Sequence, residues 1–178
     1  MLNPSLLQPD LVLGGNILQL APETLCRYSL EGLVLDVDDT LVPLRQAETH
    51  PELLEWMEDI KSVATVWLVS NNVNSYRINR IASFLDVPYL SGARKPSRRK
   101  LQQAIDAMGL PVERVAMVGD RLFTDVLAGN RVGMFTILVD PIPSAFEQTA
   151  SQGPLRFLEM TISRSLGVNL LHSTSDKS

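Results

Sequence analysis

Four short stretches of this 178-residue sequence carry reactive oxygen and nitrogen groups of one chemical theme. Asp36-Val37-Asp38-Asp39-Thr40 follows the apolar run Leu33-Val34-Leu35. Ser70-Asn71-Asn72 follows Thr65-Val66-Trp67-Leu68-Val69. Lys95 comes shortly after Pro88-Tyr89-Leu90. Asp120 follows Val115-Ala116-Met117-Val118-Gly119, with Asp125 five residues on. Clustered carboxylates repel one another, and a hard divalent cation with oxygen ligands removes that cost. No Cys or His stands among these residues, so magnesium suits the set better than zinc. A magnesium ion with a lysine and a hydroxyl makes a site for a phosphoryl group. A carboxylate facing phosphorus can then attack it and form an aspartyl-phosphate.

Taken singly, each stretch has an ordinary reading. An Asp-x-Asp after a strand is often turn chemistry. Ser-Asn-Asn commonly caps a helix or makes a turn. A lone lysine or a Gly-Asp turn is usually solvated surface. The functional reading rests on all four lying at successive strand ends.

The elements that position these groups alternate. The apolar runs read as strands covered on both faces. Between them, helical spacing is expected in four places. The first has Leu53, Leu54, Met57 and Ile60 after Pro51. The second has Tyr76, Ile78, Ile81, Phe84 and Leu85. The third is capped by Ser97, carries Leu101, Ile105 and Met108, and is stopped by Gly109 and Pro111. A short fourth runs from about Thr124 to Ala128 and ends at Gly129-Asn130. The βαβαβαβαβ pattern implies right-handed crossovers and an α/β fold, a three-layer doubly wound parallel sheet. In such a sheet, ligands bind beyond the carboxyl ends of the strands, where the four stretches fall.

Composition narrows the class. A hydrophobic fraction of 45% with 20% charged residues excludes general disorder. The net charge of −4 argues against a protein that coats DNA or RNA. Cys26 is the sole cysteine, which excludes an internal disulfide. No apolar run reaches the ~18 residues of a membrane-spanning helix, and the N-terminus lacks the basic start and cleavage site of a secretory signal. A soluble, cytoplasmic protein is expected. Residues 1–30 are expected to form an N-terminal extension packed on the core. Residues 31–142 would be the catalytic domain, 143–170 a C-terminal helical extension, and 171–178 a disordered tail.

The four motifs, in order over residues 36–125, resemble those of the haloacid dehalogenase (HAD) superfamily of aspartate-nucleophile phosphohydrolases. That family pattern is D-x-D-x-T, a Ser or Thr, a Lys, and an acidic motif of the G-D-x-x-x-x-D kind. The resemblance implies that Asp36 is the nucleophile and a magnesium ligand. Asp38 would be the general acid and base, with its backbone carbonyl on the metal. Ser70 and the Asn71 backbone would bind the phosphoryl oxygens, and Lys95 would balance their charge. Asp120 and Asp125 would complete the metal site, and Asp39 and Thr40 would shape the loop. Only 30 residues separate Thr40 from Ser70, and 25 separate Ser70 from Lys95. Neither interval holds a globular cap, so a capless, open site is expected.

More closely, the chain resembles the YqeG-like branch of subfamily IIIA, which is related to mitochondrial phosphatidylglycerophosphate phosphatases. That likeness covers Pro22-Glu23-Thr24-Leu25, Leu35 to Val42, Ser70-Asn71-Asn72 and Ala93-Arg94-Lys95-Pro96. It implies dephosphorylation of phosphatidylglycerophosphate in phospholipid biosynthesis, at the inner membrane surface. Relatives commonly have Asn where this chain has Asp39. Five of the sixteen basic residues (Arg94, Lys95, Arg98, Arg99 and Lys100) lie within seven positions. Three fall in the first turn of a helix, where the dipole disfavours cations, so an anionic partner is one reading and a solvated face the other. The apolar groups around Leu6, Leu11 and Ile17 lack accompanying basic residues and are expected to pack on the domain. Trp56 and Trp67 read as core or covering residues, and His50 and His172 as non-catalytic.

Two alternatives stay open. One is a HAD phosphatase for a soluble metabolite or a nucleic-acid end. The other is a phospho-receiver module, which also gathers aspartates, a hydroxyl, a lysine and magnesium. A receiver carries its phosphorylated aspartate at the third strand, and Pro88-Tyr89-Leu90 has none.

Overall fold

Strand β2 (Gly32–Leu35) is buried at all four positions and lies at the centre of a parallel sheet. The structure is a computed structural model that describes residues 3–41, 51–73 and 75–142. Around β2 the order is β1 (Leu11–Val12), β6 (Phe135–Leu138), β5 (Val115–Gly119), β2, β3 (Thr65–Val69) and β4 (Tyr89–Leu90). Leu35 pairs with Leu68 on one side and Val118 on the other. The chain proceeds outward from β2 through β3 and β4, then returns to the other side of β2 for β5 and β6. β2 therefore lies at the point where winding reverses, which is where sheets of this kind bind ligands.

Alternation along the strands divides the core. Leu33, Leu35, Leu68 and Val118 face α2 (Pro51–Lys61) and α3 (Ser75–Leu85). Val34, Val69 and Met117 face α4 (Arg99–Met108) and α5 (Leu127–Val132). This is the expected three-layer arrangement, and each fully buried Leu or Val contributes about 1.5–3 kcal/mol. Among the described residues, the interval from Thr40 to Ser70 holds α2 and β3, and that from Ser70 to Lys95 holds α3 and β4.

Several elements differ from expectation. A sixth strand, β1, pairs with β6, its two residues being too few to show periodicity. Asp10 fastens it, accepting from Thr136 N at 2.8 Å and Thr136 Oγ1 at 3.0 Å. Leu7, Ile17, Leu20 and Leu25 are fully buried, and Trp56 Nε1 donates to Leu20 O at 2.8 Å. A helix not expected from the sequence, α1, spans Pro22–Arg27. On α3 the buried stripe is Ile78, Ile81, Ala82 and Leu85, while Tyr76 and Phe84 face outward. Arg98, not Ser97, is the N-cap of α4, without a side-chain cap. Gly109 ends α4 at φ 66°, as expected. α5 runs past Gly129 to Val132, because Gly129 serves close packing. A Cβ there would stand 2.6 Å from Thr136 Cγ2. Residues 143–178 with His172, and residues 42–50 with His50, lie outside the described residues.

Candidate active site

Asp36 is the first residue beyond β2, and its N–H still donates to Val118 O at 2.9 Å. The ladder thus holds this backbone up to the point where the chain leaves the sheet. Asp39 then takes a left-handed φ of 64°, which an aspartate tolerates better than most residues. That turn folds Thr40 back, so that its hydroxyl donates to Asp120 Oδ1 at 3.3 Å. Arg121 Nη2 lies 3.2 Å from Asp39 Oδ2 and pins the outside of the loop.

The loops after β3 and β4 are sewn together. Ala93 N donates to Ser70 O at 2.9 Å and Gly92 N to Asn72 O at 3.0 Å. The Asn71 side chain accepts from Lys95 N at 2.7 Å. This seam delivers the Lys95 ammonium under the sheet edge, 2.5 Å from Asp36 Oδ1 and 2.6 Å from Asp125 Oδ1.

β5 ends at Gly119, and a π-helical turn over Leu122–Val126 follows. Such turns recur at functional sites. This one carries Asp125 back beneath Asp120, where Asp125 Oδ2 accepts from Arg121 N at 3.2 Å. Gly119 is what leaves room, since a Cβ there would stand 2.4 Å from Asp125 Oδ2.

Asp36, Asp120 and Asp125 are buried, and one carboxylate oxygen from each lies within 4.8 Å of the others. Burial pushes the Asp36 carboxyl up to about 8; Lys95 opposes the rise, while Asp125 and Asp120 add to it. Burial alone would depress the Lys95 ammonium, but Asp125 and Asp36 outweigh it and hold it above its ordinary range. Fully ionised, three carboxylates and one ammonium leave two negative charges. Asp125 Oδ1 is buried against the Lys95 ammonium, which it shares with Asp36. An all-oxygen cluster short of positive charge fits a hard divalent cation.

Asp38 and Ser70 form a second group beside the first. Ser70 Oγ donates to Asp38 Oδ2 at 2.9 Å and accepts from Asn72 N at 3.0 Å. Arg77 Nη1 pairs with Asp38 Oδ1. So Asp36, Lys95, Asp120 and Asp125 meet, Asp38 and Ser70 adjoin them, and Asn71 stands exposed with its side chain on the Lys95 backbone. Arg77 escaped the sequence reading. Its signal was an arginine in the first turn of a helix starting at the rim, where the dipole disfavours a cation without an anionic partner.

The HAD-hydrolase-like family model matches residues 92–141. The probable phosphatase YqeG of Bacillus subtilis (strain 168) is 39% identical over 131 residues, 73% of this chain and 76% of that protein. The chain belongs to the YqeG-like branch of the HAD phosphatases. Phosphatidylglycerophosphate phosphatase 1 of Chlamydomonas reinhardtii is 29% identical over 150 residues, 78% of this chain but 56% of that protein. Its Arabidopsis thaliana counterpart is 28% identical over 134 residues, 38% of its length. The fold recurs in NagD from E. coli K-12, with TM-score 0.50, 15% identity, and coverage of 70% of this chain and 93% of that one. It recurs also in a predicted HAD-like family hydrolase from Porphyromonas gingivalis, with TM-score 0.51, 15% identity, and coverage of 70% and 100%.

Proposed function

We propose that this HAD phosphatase hydrolyses phosphate monoesters with magnesium, through an aspartyl-phosphate on Asp36, and that its substrate is phosphatidylglycerophosphate. The single observation that carries the mechanism is the placement of Asp36 at the β2 end, against Lys95 and beside Asp120 and Asp125. Asp36, Asp120 and Asp125, with the Asp38 backbone carbonyl, would hold the magnesium. When bound, the cation offsets the two negative charges of the cluster and draws charge from the phosphoryl oxygens.

The protein's own groups do the rest. Lys95 favours the ionised form of Asp36 against the effect of burial and meets the phosphoryl oxygens as the second cation. The Ser70 hydroxyl, turned from Asp38 to substrate, and the Asn71 N–H orient those oxygens. An Asp36 carboxylate oxygen forms a bond to phosphorus as the ester P–O bond breaks. Asp38 gives its proton to the departing alkoxide. Asp38 then takes a proton from water as that water attacks phosphorus, the bond to Asp36 breaks, and inorganic phosphate leaves. Arg77, paired with Asp38, is a positioning residue.

The lipid substrate is supported by the names of two relatives at 28–29% identity and by the absence of a cap among the described residues. A headgroup at a bilayer reaches an open site more readily than a closed one. The test is phosphate release, with and without magnesium, from phosphatidylglycerophosphate in mixed micelles beside sugar and nucleotide phosphates. The lipid should be preferred by kcat/KM; preference for a soluble monoester would transfer the site to that substrate.

A further inference from the structure

Among the described residues, the large apolar side chains most open to solvent are Val73 (78%), Tyr76 (70%) and Phe84 (42%). All three belong to α3 or to the loop before it. Tyr76, Arg80 and Phe84 follow at intervals of four, so they form one stripe on the outer face of α3. The Arg80 guanidinium sits over the Tyr76 ring, 6.0 Å from its centre. From Ser75 to Leu85 the helix has two arginines and no acidic residue, in a chain of net charge −4.

The loop before this stripe adjoins a second cationic surface. The Gly92–Asn72 and Lys95–Asn71 hydrogen bonds join the loop bearing Val73 to the loop bearing Arg94. Val73 Cγ1 lies 3.6 Å from the position of a Cβ on Gly92. Arg94 is exposed, as are Arg98 and Arg99 at the start of α4. Both helices begin at the carboxyl edge of the sheet, where the candidate site opens. That rim therefore carries an exposed aliphatic tip, an exposed tyrosine and unburied arginines together.

We propose that this rim docks the protein on an anionic phospholipid bilayer, with Val73 and Tyr76 at headgroup depth and Arg80, Arg94, Arg98 and Arg99 on lipid phosphates. The water–hydrocarbon boundary accommodates both kinds of group: tyrosine by its amphipathic ring, arginine by its charge. A nucleic-acid backbone would use the cations but gains nothing from an aliphatic tip exposed at 78%. Docking this edge would turn the candidate site toward the headgroups. The proposal deepens the lipid-substrate reading and rests on it for its purpose, but binding is measured without turnover.

The experiment is sedimentation of the full chain with vesicles of phosphatidylglycerol and phosphatidylcholine, beside vesicles of phosphatidylcholine alone. Wild type should bind the anionic vesicles, be weakened by salt, and leave the neutral ones largely unbound. Arg98→Gln with Arg99→Gln should weaken binding by about fivefold per arginine, and Val73→Ser with Tyr76→Ser by about tenfold. Both double variants should hydrolyse p-nitrophenyl phosphate like wild type. The proposal is overturned if wild type stays unbound, if both variants bind as wild type does, or if a single-stranded oligonucleotide displaces the protein from vesicles. Normal vesicle binding without any phosphatase activity would support this surface and sink the catalytic reading instead.

Discussion

Lys95 Nζ lies 2.5 Å from Asp36 Oδ1 at the carboxyl end of the central strand, and both side chains are buried. Lys95 is also the charge partner of Asp125, so one ammonium serves two carboxylates. Removing one partner of a buried pair leaves uncompensated charge and costs about 3–5 kcal/mol. Lys95→Met should lose that much stability by urea unfolding in the presence of a chelator. A loss below about 1 kcal/mol would mean that the pair is not buried as described.

The raised Asp36 carboxyl sets the sign of a pH dependence. Its ordinary value is 3.8 and its folded value about 8. Between these limits the folded state holds the proton more tightly than the unfolded one, so this group's contribution to stability is full below the lower limit and lost as pH rises toward the upper. Without metal, the thermal midpoint should fall as pH rises through that window, and Asp36→Asn should flatten the slope. Magnesium should bind more tightly with rising pH across the same window, because it competes with the proton. A midpoint that climbs over this range in wild type but not in Asp36→Asn would reverse the assignment.

Asp38 is held by the Ser70 hydroxyl and the Arg77 guanidinium. General acid catalysis is worth about 10²–10⁴-fold when the leaving group is poor and little when it is good. In kcat/KM, which reports the first phosphoryl transfer and not hydrolysis of the aspartyl-phosphate, Asp38→Asn should cost about that much on an alkyl phosphate and far less on p-nitrophenyl phosphate. Arg77→Ala should show the same dependence in weaker form, with Arg77→Lys restoring part of it. Equal losses on both substrates would remove the acid role from Asp38.

Gly119 tests the cation cluster from its back wall. Its hydrogen faces Asp125, and a Cβ would come within 2.4 Å of Oδ2. Because Asp125 is tied to the Arg121 backbone and to Lys95, it has little room to yield. Gly119→Ala should weaken magnesium binding by at least about tenfold in calorimetry, the scale at which displacing a ligand's support shows. Unchanged affinity would place the cation elsewhere.

The parts of this molecule that were legible in its sequence are those set by periodicity and by strand ends. Leu33 to Leu35 and Val115 to Val118 read as strands covered on both faces because a strand so buried must be apolar throughout. Asp36, Ser70, Lys95 and Asp120 could be located because the fold puts such positions at one edge. Arg77 could not be placed, since its partner lies 39 residues away and only the three-dimensional fold brings the two together. The register of α3 was blurred because Tyr76 and Phe84 are apolar yet face outward, and hydrophobicity alone assigns them to the core. Gly129 read as a helix stop for a similar reason, as its contact with Met117 and Thr136 is tertiary. Strand β1, only two residues long, has its place fixed by β6 and by Asp10 rather than by its own pattern.

Reductive trapping tests the role of Asp36 most directly. Borohydride added during turnover converts an aspartyl-phosphate to homoserine, which peptide mass spectrometry locates by position. With magnesium and a phosphate monoester, homoserine should appear at position 36, and Asp36→Asn should lose both the label and activity by at least about three orders of magnitude. Reduction at position 38, or undiminished phosphate release by Asp36→Asn, would contradict the assignment of Asp36 as nucleophile.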